Sequence, residues 1–140
     1  MTTTTIEIDR VAAVSDAIPE GTPLHMLNLL RFRESADYAD GVAPAGGTGQ
    51  EAFLGGYIPA FQQVVDALGF SGIGPVFAGR VAGAIVGADK WHAIAIVAYP
   101  DFATFRRIVE SDAYASIAEP HRLAALEDLQ LIATLAMDAQ

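Results

Sequence analysis

The apolar positions change period several times along the chain, and each change marks an expected element. Val11, Val14 and Ile18 recur at helical spacing, so Asp9 to Ala17 reads as a short amphipathic helix that Pro19-Glu20-Gly21 stops. Leu24 to Phe32 is instead a near-continuous apolar run bounded by Pro23 and a polar segment, the pattern of a buried strand. Alternation puts Leu24, Met26, Asn28 and Leu30 on one face and His25, Leu27, Leu29 and Arg31 on the other. Glu34 to Gly49 then turns to Asp, Gly, Pro and Ala, a loop long enough to be functional or mobile.

Helical spacing returns after Thr48-Gly49-Gln50-Glu51, which has the spacing of a capping box. Phe53, Tyr57, Phe61, Val64 and Leu68 supply the apolar stripe and Gly69 the stop, while Pro59 is expected to bend or interrupt the helix. Gly74 to Ala88, rich in Val, Ile, Ala and Gly, reads as one long strand kinked around Gly79 or Gly83, with Ala88-Asp89-Lys90 as the hairpin turn into a second central strand, His92 to Tyr99. Asp101 caps a helix that turns Phe102, Phe105 and Val109 inward. Ser111-Asp112 starts a short helical turn through Ile117, Pro120 opens the next helix, and Leu129 to Met137 is the last strand.

This order, a leading helix and then β-α-β-β-α-β, predicts an α+β, ferredoxin-like fold with an antiparallel sheet and helices on one face. One domain is expected over 1–140, with a leading helix and linker over 1–22 and the core over 23–137. The uncovered sheet face would leave Val, Ile and Leu in water, so a homodimer packed sheet on sheet is expected. A chain of 140 residues that is 52% hydrophobic and 18% charged buries a core without staples and keeps an apolar surplus for that interface.

With these elements in place, the chain resembles the bacterial family known as domain of unknown function 1330, within the dimeric α/β-barrel superfamily. The resemblance covers residues 24 to 136 and rests on Met26-Leu27-Asn28-Leu29-Leu30-Arg31-Phe32, Asp37-Tyr38 and Val76-Phe77-Ala78-Gly79-Arg80-Val81. The Trp91 to Pro100 strand and His121-Arg122-Leu123-Ala124-Ala125-Leu126-Glu127-Asp128 complete it. It implies a two-subunit barrel with a small cavity between sheet and helices in each subunit. It implies no particular reaction, because related families include cofactor-free monooxygenases, lactone isomerases, dehydratases and haem-binding enzymes.

Charge and composition exclude several classes. Seventeen acids against eight bases give a net charge of −9, which repels a phosphate backbone and argues against nucleic acid. The absence of cysteine removes disulfides, thiolate metal sites and thiol nucleophiles. The four threonines after Met1 lack the charged and apolar regions of a leader, and no apolar run nears the roughly 18 residues of a membrane span, so a soluble, cytoplasmic protein is expected.

Among candidate site residues, Asn28 is an amide in an apolar strand and must meet a structural partner or a ligand. Arg80 is placed to clamp a carboxylate, or else to pair with Asp37 or Glu127. His92 and His121 are the candidate acid or base groups, each with a structural alternative at a strand end or helix start. Tyr57 and Tyr38 either aim hydroxyls into the cavity or belong to the core. No metal or other cofactor is expected: His25, His92 and His121 have no ligand spacing, only His121 would suit a haem, and there is no dinucleotide, phosphate-loop or nucleophile-elbow motif.

The expected function is therefore a homodimer that binds a small anionic or polar-aromatic molecule in a cavity lined by Asn28, Arg80, Tyr57 and His92. As an enzyme it would carry out cofactor-independent proton transfer or oxygenation, with a histidine as base and Arg80 or Asn28 stabilising an enolate-like oxyanion. The alternative is a non-catalytic module whose buried polar residues serve packing and whose long loop contacts another protein.

Overall fold

A computed structural model describes residues 2–39 and 47–137. The elements are α1 (Ile8–Ala17), β1 (Leu24–Phe32), α2 (residues 49–68), β2 (Gly74–Arg80), β3 (Ala93–Tyr99), α3 (Phe102–Val109), α4 (residues 114–125) and β4 (Leu126–Thr134). The sheet order is β2-β3-β1-β4 and every neighbouring pair is antiparallel, so one strand lies between the two ends of each β-α-β crossover. β1 is therefore hydrogen-bonded along both edges, from Leu24 opposite Tyr99 to Leu30 opposite Ala93 and from His25 opposite Thr134 to Leu30 opposite Leu129.

The expected alternation of β1 is the one observed. Leu24, Met26 and Leu30 face the helices and are each 2% exposed, whereas His25 on the other face is open to solvent. Opposed residues in an antiparallel ladder share a face, so Val97 and Tyr99 of β3 and Leu131 and Ala133 of β4 join Met26 in the main core with Val64, Phe105 and Ile108. A second cluster, Leu30, Ala52, Phe53, Ala125 and Leu126, closes the end of the sheet where β1 leaves and β4 begins.

The helices begin and end on signals present in the sequence. Thr48 and Glu51 form the reciprocal capping box, Asp101 accepts from the Thr104 amide at 2.7 Å, and Gly69 ends α2 in the left-handed conformation at φ 75°. Pro59 does interrupt α2, by widening it: Ala52–Tyr57 is a π turn in which the Ile58 amide donates to the Phe53 carbonyl, immediately before the proline. α4 repeats the device, since Tyr114–Ala118 is a π turn closed by the Glu119 amide on the Tyr114 carbonyl, immediately before Pro120. Proline cannot donate to a carbonyl in the preceding turn, and the wider register gives that turn other donors. The helical turn expected from Ser111 to Ile117 is thus continuous with the helix containing Pro120.

Three expectations need correction. The strand predicted over Gly74 to Ala88 ends at Arg80, and the predicted Ala88-Asp89-Lys90 hairpin turn is part of a longer excursion over residues 81–92, hydrogen-bonded at its base from the Val81 amide to the His92 carbonyl. Its tip leaves Ile85 and Val86 in solvent, where β-branched residues find no sheet partner. β4 spans Leu126–Thr134, not Leu129 to Met137, because α4 passes into the strand without a turn: Leu126 is already extended. Of the loop from Glu34 to Gly49, residues 40–46 lie outside the described residues; its ends meet where the Ala36 amide donates to the Gly47 carbonyl.

No helix among the described residues is long and apolar enough to cross a membrane. Where α2 starts, the chain passes so close to β1 and α4 that a Cβ on Gly49 would lie 2.3 Å from the Arg33 carbonyl oxygen and 2.5 Å from that of Ala125. Both are backbone atoms that cannot swing aside. Gly49→Ala is expected to cost about 3 kcal/mol, the upper end for overpacking, as a lower urea midpoint with unchanged m. A loss below about 1 kcal/mol would contradict this packing.

Candidate cleft lined by basic residues

The helices cover β1 and β4 more fully than β2, whose side chains are mostly exposed, and the gap beside α2 is a cleft of about 960 Å³. One wall is apolar: Phe53, Leu54 and Ile58 of α2, with Leu54 53% and Ile58 47% exposed. The other is basic, because Arg31, Arg33, Arg80 and Lys90, four of the eight lysines and arginines in a chain of charge −9, line the same cleft.

Three of these cations are engaged. Arg31 Nε donates to Glu127 at 2.6 Å and Nη1 to the Lys90 carbonyl at 2.7 Å; Lys90 Nζ meets Asp128 at 2.8 Å and lies 4.6 Å from the Trp91 ring centroid; Arg33 Nε donates to the Leu123 carbonyl at 3.3 Å. Arg80 has no carboxylate within 4.0 Å among the described residues, since Glu127, one of its two expected partners, is bound to Arg31. It sits at the end of β2, exposed, opposite Ala93 of β3.

His92 lines the same cleft. Its Nδ1 accepts the Phe32 amide at 3.0 Å, and its own amide donates to the Leu30 carbonyl at 2.8 Å. An amide can only donate, so the proton of the neutral ring belongs on Nε2, and His92 offers a donor rather than a free basic nitrogen.

The other candidates stand behind this cleft. Asn28 Nδ2 donates to the Met26 carbonyl at 3.3 Å and the Ala95 carbonyl at 3.2 Å, so its amide group joins β1 to β3. Tyr57 stacks on Phe53 and shares a 2.8 Å hydrogen bond with the Tyr114 hydroxyl; burial, and next the neighbouring Tyr114, push its pKa well above the usual phenol value. Tyr38 meets His121 Nδ1 at 2.7 Å with its ring edge-on, and burial raises its pKa. Arg80 and His92 are thus brought together, while Asn28, Tyr57, Tyr38 and His121 are held by other groups of the protein.

Two features escaped the sequence reading. Arg31, Arg33, Lys90 and Trp91 join Arg80 only because the 81–92 excursion folds back beside β1, and no spacing signals that. Arg122, 4% exposed, donates from Nε to the Tyr114 hydroxyl at 3.0 Å and from Nη1 to the Thr4 carbonyl. The π turn between Tyr114 and Arg122 shifts the helical phase, which hides their common face from a 3.6-residue period. No group of three or more His, Asp or Glu able to hold a metal occurs among the described residues.

Two solved structures resemble the chain along nearly its whole length. The methylated RPA0582 protein is 31% identical, with 99% of this chain and 98% of that one covered and a TM-score of 0.79. The RPA0582 protein of unknown function from Rhodopseudomonas palustris is 30% identical over 95% of this chain and 96% of that one, with a TM-score of 0.75. An ethyl tert-butyl ether degradation (EthD) family protein of Bacillus halodurans shares the fold at 15% identity, with 83% of this chain and all of that chain covered and a TM-score of 0.52. No family model matches the chain, and no curated protein matches it.

Asp128, 3% exposed, ties the cleft to the N-terminal segment, accepting from Lys90 Nζ, from the Thr3 amide at 3.0 Å and from the Leu129 amide at 2.9 Å. Burial alone would raise its pKa and is the largest single influence, but the bonds from Lys90, Thr3 and Leu129 together outweigh it and hold the carboxyl below its ordinary value. A depressed folded pKa stabilises the protein above the unfolded pKa, near 3.9, and that contribution disappears as pH falls through the lower folded value. The stability advantage of wild type over Asp128→Asn is therefore expected to be constant above about pH 5 and to shrink below about pH 4. Urea midpoints across that range check it, and an advantage that grows on acidification would contradict it.

Proposed function

The chain belongs to the family of the Rhodopseudomonas palustris RPA0582 protein, and on that premise we propose that it is a homodimeric, ferredoxin-like α/β-barrel protein that binds a small amphipathic carboxylate beside Arg80. The whole chain acts as one domain, and its resemblance to the domain of unknown function 1330 family is taken as membership of the same dimeric superfamily.

Support for the dimer comes from the register of the sheet. Phe77, Ile96, Leu27 and Ile132 stand in one row across the face away from the helices, with Gly79, Ile94, Leu29 and Gln130 in the next. Phe77 is 56% exposed and its ring lies against Gly79, where a Cβ would come within 2.8 Å of it. An apolar row of this kind is the surface that we propose a second copy covers, sheet on sheet, through an isologous contact.

Support for the ligand rests on one observation above all: Arg80 is a guanidinium with no carboxylate partner among the described residues, beside an exposed apolar shelf. A guanidinium binds a carboxylate through two parallel hydrogen bonds, while Leu54 and Ile58 offer apolar surface to the body of the molecule. Cations outnumber carboxylates four to three in the lining, with Glu34, Asp89 and Glu127 opposing the four bases. His92 adds a donor to the same cleft, so the chemistry it favours is stabilisation of negative oxygen, as in an enolate or a bound carboxylate. Asn28, Tyr57 and Tyr38 form the layer behind the cleft, fixing Ala95 and Phe53 in place.

Hexanoate at about 100 times its dissociation constant is expected to stabilise wild type by roughly 2.7 kcal/mol in a thermal-shift assay, and Arg80→Ala is expected to lose that gain while remaining folded. Equal stabilisation of both proteins would remove Arg80 from the site. Leu27→Asp places a charge in the middle of the apolar row and is expected to turn the dimer into a monomer in sedimentation velocity; an unchanged sedimentation coefficient would remove the sheet face from the interface.

A further inference from the structure

A second recess, of about 450 Å³, lies under the N-terminal segment and α1, against the helix-facing side of β4. We infer that it is a separate binding site for a small neutral molecule with an apolar body and one hydrogen-bonding end, such as an alcohol, ketone or phenol. Its apolar lining includes Val11 and Val14 of α1, Met26 of β1, Phe102 and Phe105 of α3, and Leu131 of β4. Recesses of this volume accommodate small organic ligands.

The charge of the lining selects against ions. Glu7 and Asp128 balance Arg10 and Lys90, and each cation is already matched: Arg10 lies 3.6 Å from Glu7, and Lys90 is bound to Asp128. Among the described residues, no guanidinium in this lining lacks a carboxylate as Arg80 does. The polar groups that the lining offers a ligand are the hydroxyls of Thr4 and Thr5. That segment is fixed as a roof by the Leu129 amide on the Thr3 carbonyl, the Thr3 amide on Asp128 and Arg122 on the Thr4 carbonyl.

Trp91, the sole tryptophan, lines both this recess and the Arg80 cleft, so its emission responds to occupancy of either. Two probes of equal length and different charge separate them. In the full-length protein, 1-hexanol is expected to shift Trp91 emission saturably and to move amide signals of residues 3–7 in a heteronuclear NMR titration. Val14, 37% exposed, borders the recess, and Val14→Phe should fill part of it and weaken 1-hexanol at least tenfold, while Arg80→Ala should leave 1-hexanol unchanged. A non-saturating response, wild-type binding by Val14→Phe with no movement of the residue 3–7 amides, or loss of 1-hexanol binding in Arg80→Ala would each overturn the inference. Hexanoate in the same titrations reports the Arg80 cleft independently, so failure of one site is not mistaken for failure of the other.

Discussion

β1 is bonded along both edges and carries leucines on both faces, yet the described helices cover only one of them. This imbalance governs the rest of the molecule. Leu24, Met26 and Leu30 are satisfied inside the protein, in contact with α2, α3 and α4, while Leu27 and Leu29 wait on the far face beside Ile94, Ile96 and Ile132. At roughly 25 cal/mol per Å² of apolar surface removed from water, covering a face of that composition is a large driving force for association. The same unequal cover leaves most of β2 exposed, and the cleft is lined by the end of β2 and by α2.

Several polar groups near that cleft hold the structure. Asn28 joins two strands, Tyr57 and Tyr114 join the two π turns, Tyr38 holds His121, and Asp128 gathers Lys90, Thr3 and Leu129 around one carboxylate. Burying such groups is tolerable only because each is matched. Arg80 stands apart, at the end of β2 in the lining of the cleft with no counter-ion among the described residues, and the proposed ligand site rests on it.

Local signals were legible in the sequence wherever local physics decides the outcome. The bounds of β1, the Thr48 capping box, the Asp101 cap and the Gly69 stop are decided within a few residues, and each is where the pattern put it. The 81–92 excursion was not legible: Val, Ile and Ala favour strands, but residue type does not reveal that an edge strand runs out of partner at Arg80. β4 was displaced because α4 enters it without any turn residue at Leu126. Arg80 and His92 stood out by residue type, but their neighbours Arg31, Arg33 and Lys90 are assembled by tertiary folding alone, and the π turn conceals the pairing of Arg122 with Tyr114.

The most direct test of a carboxylate site at Arg80 is an NMR titration of the full-length protein with hexanoate, observing arginine side-chain Nε–H signals and the Trp91 indole. Saturable shifts confined to Arg80, Trp91 and the neighbouring amides of α2 are expected. Shifts that never saturate, or that spread over the exposed arginines while leaving Arg80 unchanged, would contradict it.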